Sequence, residues 1–102
     1  SDTFFEIKTP LEVTIRTTRE YWNYIVTIKH PFMNGKEESV KNALFQPDEI
    51  RKSRMDDQVF LYYRREEEKL FCAVARHTEK EGHLVTAYVT DKVKEGEVIW
   101  TR

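Results

Sequence analysis

The chain has 102 residues, of which 39% are hydrophobic and 34% are charged, and this composition excludes an intrinsically disordered protein. Its 17 basic and 18 acidic residues leave a net charge of −1, so the overall basicity typical of nucleic-acid-binding domains is absent. No apolar run approaches the roughly 18 residues that a membrane-spanning helix needs, so we expect no membrane partner. Residues 1–102 are predicted to form a single domain.

The cysteine count and the first residues of the chain indicate the cellular compartment. Cys72 is the only cysteine, so no internal disulfide can form, and a reducing compartment is indicated. The opening residues Ser1-Asp2-Thr3 lack the basic and apolar regions of a secretion signal. These features predict a cytoplasmic protein.

The first elements in chain order are two strands and a helix. Apolar residues alternate with polar ones around Phe5 and Ile7, and again from Leu11 to Ile15, which predicts an N-terminal β-hairpin across Pro10. Thr17-Thr18-Arg19-Glu20 is a capping-box pattern, which predicts that a helix begins there. The predicted apolar face of this helix comprises Tyr21, Ile25 and Ile28, and Pro31 ends the helix.

A second helix and a series of strands complete the predicted fold. Asn34 and Glu37 repeat the cap pattern, and Pro47 stops the helix that they begin. The strand-like segments that follow are Ile50–Arg54, Val59–Arg64, Leu70–His77, His83–Thr90 and Glu97–Trp100. The predicted fold class is therefore α+β: an N-terminal β-hairpin, two helices, and then an antiparallel four- to five-stranded meander.

No strong catalytic or cofactor motif is present. The phosphate-binding, dinucleotide-binding, zinc-binding and nucleophile-elbow patterns are all missing from the sequence. The histidines His30, His77 and His83 are irregularly spaced, whereas zinc ligands usually come in tight pairs. We therefore expect no metal and no cofactor.

His30 is the histidine with the most functional interest. It lies at a predicted helix end, between Lys29 and Pro31. It could be a C-terminal cap, because a cation there meets the negative end of the helix dipole. It could equally be a general acid or base, because histidine titrates near neutral pH.

Basic residues cluster at the start of the predicted meander, in Arg51-Lys52-Ser53-Arg54 and in Arg64-Arg65. The cluster could be a solvated strand edge that discourages aggregation. It could also be a phosphate-binding surface, because arginine binds phosphate oxygens bidentately. In that interpretation Lys52, Arg54 and Arg64 contact substrate, and Tyr63 offers a ring on which a base can stack.

Two neighbouring strands carry further candidates. Arg76 shares a face with Leu70, Cys72 and Val74, and a guanidinium on such a row needs a partner or a cleft. Thr86, Tyr88 and Thr90 share one face of the next strand. They form either its ordinary polar face or a row of hydroxyls that lines a site.

Several short motifs occur in an order that resembles a known family. They are Tyr-Trp-x-x-Ile at 21–25, Lys29-His30-Pro31, Gln46-Pro47-Asp48-Glu49-Ile50-Arg51-Lys52-Ser53, Val59-Phe60-Leu61-Tyr62-Tyr63-Arg64, Thr86-Ala87-Tyr88-Val89-Thr90 and Lys94-Glu95-Gly96-Glu97-Val98-Ile99-Trp100. Over roughly residues 11–100 the pattern resembles small prokaryotic domains of the phage-type branch of the barnase–EndoU–colicin–RelE superfamily. That superfamily consists of metal-independent ribonucleases.

The resemblance implies an activity, partners and residue roles. RNA would be cut by attack of its own 2′-hydroxyl on the adjacent phosphate, with His30 as acid or base, Arg51 and Arg76 stabilising the phosphate, and Thr86 and Tyr88 positioning it. The implied partners are RNA and a small antitoxin protein, since many relatives are toxins of toxin–antitoxin pairs. The alternative is a catalytically silent module that uses the same cleft, or a sheet edge, to hold a protein partner.

Overall fold

The computed structural model describes residues 2–92 and 96–102. In chain order the elements are β1 Thr3–Lys8, β2 Thr14–Thr18, α1 Arg19–Tyr24, α2 Glu37–Phe45, β3 Glu49–Lys52, β4 Val59–Glu66, β5 Lys69–Thr78, β6 Glu81–Thr90 and β7 Glu97–Thr101. Between the helices, α1 continues as a π-helical turn over Ile25–Lys29, and a 3₁₀ turn follows over Pro31–Met33. The predicted α+β class is confirmed.

The strands form one seven-stranded sheet in the order β1-β2-β6-β5-β4-β3-β7. The N-terminal hairpin is as the sequence predicts, and β3, β4, β5 and β6 pair antiparallel in chain order. The sheet is larger than the predicted four- to five-stranded meander, and it is mixed, because β2 pairs with β6 in parallel. β7 pairs with β3 at the far edge. Alternation of apolar residues shows where strands lie but not which strands pair, and this is why the sequence missed these two pairings.

The two faces of the sheet have different coverings. The helix face packs against α1 and α2 around Trp22, Ile25 and Leu44, which are at most 2% exposed. The second face carries a smaller apolar cluster that comprises Leu61, Tyr63, Leu70, Cys72 and Val74. β5 occupies the centre of the sheet, and its residues from Leu70 to Ala75 are buried. β5 is therefore a central strand that is covered on both faces.

Both helices begin later than the sequence predicts. Thr18, not Thr17, is the N-cap of α1, and its hydroxyl accepts a hydrogen bond from the Tyr21 N–H at 3.1 Å. α2 begins at Glu37 without a side-chain cap, and Asn34 instead lies at the end of the 3₁₀ turn. None of the helices in the described part of the chain has the length and apolar character needed to cross a membrane.

The π-helical turn changes which residues of the first helical segment are buried. Ile25 is fully buried as expected, but Ile28 is 65% exposed. The His30 N–H bonds to the Ile25 carbonyl, five residues earlier, at 2.7 Å. A turn with this spacing contains an extra residue, so positions after Ile25 rotate away from the face that α-helical periodicity predicts.

Candidate functional site

The end of the π-helical turn places His30 against the sheet. Its backbone N–H closes the turn, and no side-chain cap bond is present there. The imidazole instead packs on the Tyr88 ring, with centroids 5.6 Å apart and planes inclined at 42°. His30 is thus the C-cap residue of the turn, as one interpretation predicts, and its ring contacts the sheet, while its role as an acid or base stays a prediction.

The free edge of β6 explains how a residue of the helical layer reaches Tyr88. The parallel β2–β6 ladder stops at the Arg16–His83 pair. Beyond it, the Val85 carbonyl accepts a hydrogen bond from the Tyr21 hydroxyl at 2.7 Å and lies 3.4 Å from the Lys29 amino group. The helical segment thus runs along this edge, and π-helical turns of this kind occur frequently at functional sites.

A pocket of about 390 Å³ lies beside the His30–Tyr88 contact. We call it the His30 pocket, and it is lined by Lys29, His30, Pro31, Phe32, Met33, Tyr88 and Val89. Most of these side chains are apolar, and Phe32 is 55% exposed. The pocket therefore presents an apolar surface to solvent, with Lys29 and His30 as polar groups at its side.

Tyr88 carries a neutral hydroxyl at this site. Burial raises its pKa well above the usual range, and the neighbouring Cys72 and Tyr63 side chains raise it further. Tyr63 itself is only 1% exposed. A base therefore has no access to the Tyr63 ring, and the predicted stacking role does not fit its position.

Thr86 lies two residues from Tyr88 on the second face, beside Val74 of β5. Its hydroxyl oxygen is buried, and it has no hydrogen-bond partner among the described residues. An unsatisfied buried hydroxyl costs stability, so this oxygen is a potential contact for an incoming group. Of the five predicted catalytic residues, His30 and Tyr88 are thus in contact, and Thr86 lies two residues from Tyr88 on the same face of β6.

The predicted catalytic arginines are held elsewhere. The Arg51 guanidinium pairs with Glu49 and donates to the Gly96 carbonyl at 3.2 Å. Arg51 and Thr86 stand in one cross-strand row, three strand spacings apart, which is roughly 14 Å.

Arg76 lies closer to Thr86, but its side chain is also occupied. It pairs with Asp56 and donates to Gln58 at 2.9 Å. The Asp56 pKa is lowered from its ordinary value, first by a backbone bond from Gln58 and then by Arg76. Neither Arg51 nor Arg76 is therefore positioned beside His30 as a free phosphate ligand.

The other predicted substrate contacts do not converge on His30. Lys52 and Arg54 line a separate depression of about 580 Å³, whose wall also carries three carboxylates, those of Asp56, Asp57 and Glu97. Arg64 lies on the helix face, where it donates to the Gln46 carbonyl at 2.6 Å, just after α2. It is a helix-end contact rather than part of a surface with Lys52 and Arg54.

The remaining histidines are also separate from the site. His77 is buried, stacks on Phe60 with centroids 3.9 Å apart, and lies 2.8 Å from the Tyr62 hydroxyl through Nε2. His83 is exposed. Within residues 2–92 and 96–102, no three His, Cys, Asp or Glu side chains group as a metal site would require.

Sequence reasoning missed five residues of the His30 pocket, namely Lys29, Pro31, Phe32, Met33 and Val89. One available signal was Phe32, an aromatic residue directly after Pro31 in a predicted connection between helices. Comparison of the chain with protein-family models, curated proteins and solved structures gives no match. The family resemblance therefore stays a prediction, and the function is argued from the geometry alone.

Proposed function

We propose that this protein is a binding module that holds a segment of a protein partner in the His30 pocket. The observation that carries the proposal is the contrast between this pocket and the arginines. The pocket is apolar and open, with Phe32 at its rim, whereas Arg51 and Arg76 are neutralised by carboxylates of the same chain. A site of this composition suits apolar side chains better than phosphates.

Exposed apolar residues extend along the segment that leads into the pocket. Tyr24 is 45% exposed and Ile28 is 65% exposed, and both precede Phe32 in this segment. A cluster of large aromatic and aliphatic side chains at the surface marks a protein interaction site more often than single scattered apolar residues do. The surface beside the pocket can therefore contribute to the same interface.

Phe32→Ser is expected to remove binding of selected peptides, because it deletes the exposed ring at the rim of the pocket. Peptides would be selected from a randomised displayed library on the wild type, and their affinities measured by fluorescence anisotropy. We expect a loss of at least about tenfold, the size of effect typical of an exposed aromatic anchor.

Phe45→Ser is the matched control, since Phe45 is also 55% exposed but lies at the other end of α2. It should leave affinity unchanged. An equal loss of peptide affinity in both variants would contradict the proposed function. So would a selection that yields no peptide whose binding depends on Phe32.

A second candidate is a metal-independent endoribonuclease of RelE-like fold, the toxin of a toxin–antitoxin pair. The observation that favours it is the contact of His30 with Tyr88, which lies two residues from Thr86 on one face of β6. In this proposal the imidazole takes a proton from the RNA 2′-hydroxyl or gives one to the leaving 5′-oxygen, and the neutral Tyr88 and Thr86 hydroxyls position the phosphate. Arg76 would have to leave Asp56 to stabilise the charge that develops.

If the chain is a nuclease, expression in cells should stop growth and cleave RNA, and His30→Ala and Arg76→Ala should each abolish both effects. The rate loss expected for removing a general acid or base is about a hundredfold or more. Normal growth and intact RNA, with soluble wild-type protein, would rule out this candidate.

A further inference from the structure

The His30 pocket carries an uneven distribution of charge. Its lining includes the amino group of Lys29 and the imidazole of His30, and none of the described residues that line it carries a carboxylate. At the rim, the Lys36 amino group lies 5.2 Å from the centroid of the Phe32 ring. A ligand in the pocket therefore meets an apolar lining with the positive charge of Lys29 beside it and that of Lys36 at the rim.

The two lysines at the pocket have no carboxylate partner among the described residues. Arg16, Arg51 and Arg76 each pair with a carboxylate. Neither Lys29 nor Lys36 forms such a pair with any described residue. Lys29 is held by the Val85 carbonyl at 3.4 Å and by the Tyr24 ring at 5.8 Å, which keeps it beside β6 and the pocket.

The surface on the opposite side of Phe32 carries charges of both signs. A second depression of about 620 Å³ begins there, and its lining includes Glu66 and Glu67 together with Lys36 and Lys69. Glu66 already accepts a hydrogen bond from Ser39 at 2.7 Å, whereas Glu67 is exposed. An extended ligand that crosses Phe32 therefore meets positive charge at the Lys29 end and mixed charge at the Glu67 end.

We propose that the partner segment is an acidic peptide, with an apolar side chain in the His30 pocket and one or more carboxylates beside Lys29. This inference rests on the proposed binding function. The pocket volume of about 390 Å³ is near the small end of the range for ligand sites, so it accommodates a few side chains of an extended chain. The unpaired lysines supply charge complementarity, which selects among apolar segments.

RNA would supply negative charge too, but its chemistry fits the pocket less well. Sequence-specific recognition of an RNA base needs hydrogen bonds to the edges of the base. Of the side chains that line the pocket, Lys29, His30 and Tyr88 are polar, and the Tyr88 hydroxyl is engaged with Cys72 and Tyr63. An apolar peptide side chain needs no such contacts.

The test is a parallel selection from one randomised linear peptide library on the wild type, Lys29→Glu and Lys80→Glu. Lys80 is an exposed lysine in the turn between β5 and β6, so its variant is the matched charge-reversal control. We expect the wild type and Lys80→Glu to enrich peptides in which Asp or Glu flanks an apolar anchor. Lys29→Glu should bind those peptides about tenfold or more weakly and should enrich Lys or Arg at the flanking position instead.

The outcomes separate this inference from the proposed function. If Phe32-dependent peptides are selected without acidic residues, or if Lys29→Glu selects the same acidic peptides, the acidic partner is wrong and the binding module stands. If no Phe32-dependent peptide is selected, both proposals fail. If a labelled single-stranded RNA binds with Lys29-dependent affinity and displaces the selected peptides, the partner is RNA and the inference is overturned.

Discussion

Gly82→Ala is expected to lower the free energy of unfolding by about 3 kcal/mol, the largest effect that we expect of a single methyl group in this protein. A Cβ at position 82 would lie 2.3 Å from the Arg76 carbonyl oxygen and 2.8 Å from Ile15 Cδ1. Ordinary van der Waals contact needs at least 3.4 Å, and the carbonyl belongs to the backbone of β5. Either β5 or β6 must therefore move.

The position of Gly82 explains why the effect should reach beyond one strand. Gly82 pairs with His77 of β5 on one side and with Ile15 of β2 on the other. It therefore stands where the N-terminal hairpin joins the rest of the sheet. Thermal or urea unfolding monitored by circular dichroism would measure the loss.

Gly35→Ala provides the control, because Gly35 has a positive φ of 83° but no atom within 4 Å of the place that a Cβ would occupy. It should cost only about 1 kcal/mol, from backbone strain alone. If Gly82→Ala were no more destabilising than Gly35→Ala, that result would contradict the close approach of β2, β6 and β5 at Gly82.

The protein is expected to lose about 2–3 kcal/mol of stability as the pH falls from 6.5 to 4, through His77. Burial lowers the pKa of His77 from 6.5 to about 4. Between these values the unfolded chain binds a proton at this residue and the folded chain does not, so unfolding is favoured as pH falls. Each unit of pKa difference corresponds to about 1.4 kcal/mol.

The groups around His77 support a loss, rather than a gain, of stability as the pH falls. Its ring stacks on Phe60, and its Nε2 lies 2.8 Å from the Tyr62 hydroxyl, which is 3.3 Å from the Thr9 hydroxyl. None of these partners is an anion that would stabilise an imidazolium. Asp56, whose pKa is lowered, contributes stability that is lost only at pH values below this window.

The measurement for His77 is urea unfolding at several pH values between about 4 and 7, on the wild type and two variants. His77→Phe keeps a stacking ring but removes the titrating group, so its stability should change much less over this range. His83→Ala removes an exposed histidine and should keep the pH dependence of the wild type. A wild type with constant stability across this pH range would contradict the assignment.

Much of the fold was accessible from the sequence because it depends on local patterns. Alternation of apolar and polar residues placed the strands. Pairing depends on contacts between distant residues, so β2 with β6 and β7 with β3 were not predictable. Gly82 shows the same limit, because it lies within β6 and packs closely against β5 and β2, whereas the predicted strand begins only at His83.

The candidate site was only partly accessible for similar reasons. The position of His30 followed from Pro31, and the shared face of Thr86 and Tyr88 followed from strand alternation. The ion pairs of Arg51 and Arg76 depend on where Glu49 and the loop containing Asp56 lie in space. A π-helical turn has no simple sequence pattern, so the exposure of Ile28 and the open edge at the His30 pocket were not predictable.

The central claim, that the His30 pocket is the binding surface, is tested most directly by mapping a bound peptide with ¹H–¹⁵N NMR spectra. The strongest peptide selected on the wild type would be titrated into labelled protein. We expect the largest amide shift changes at residues 29, 30, 32, 33, 88 and 89, with little change at Arg51, Arg76 and the outer strand β7. Shift changes centred on Arg51 and Arg76, or along β7, with none at the His30 pocket, would contradict the claim.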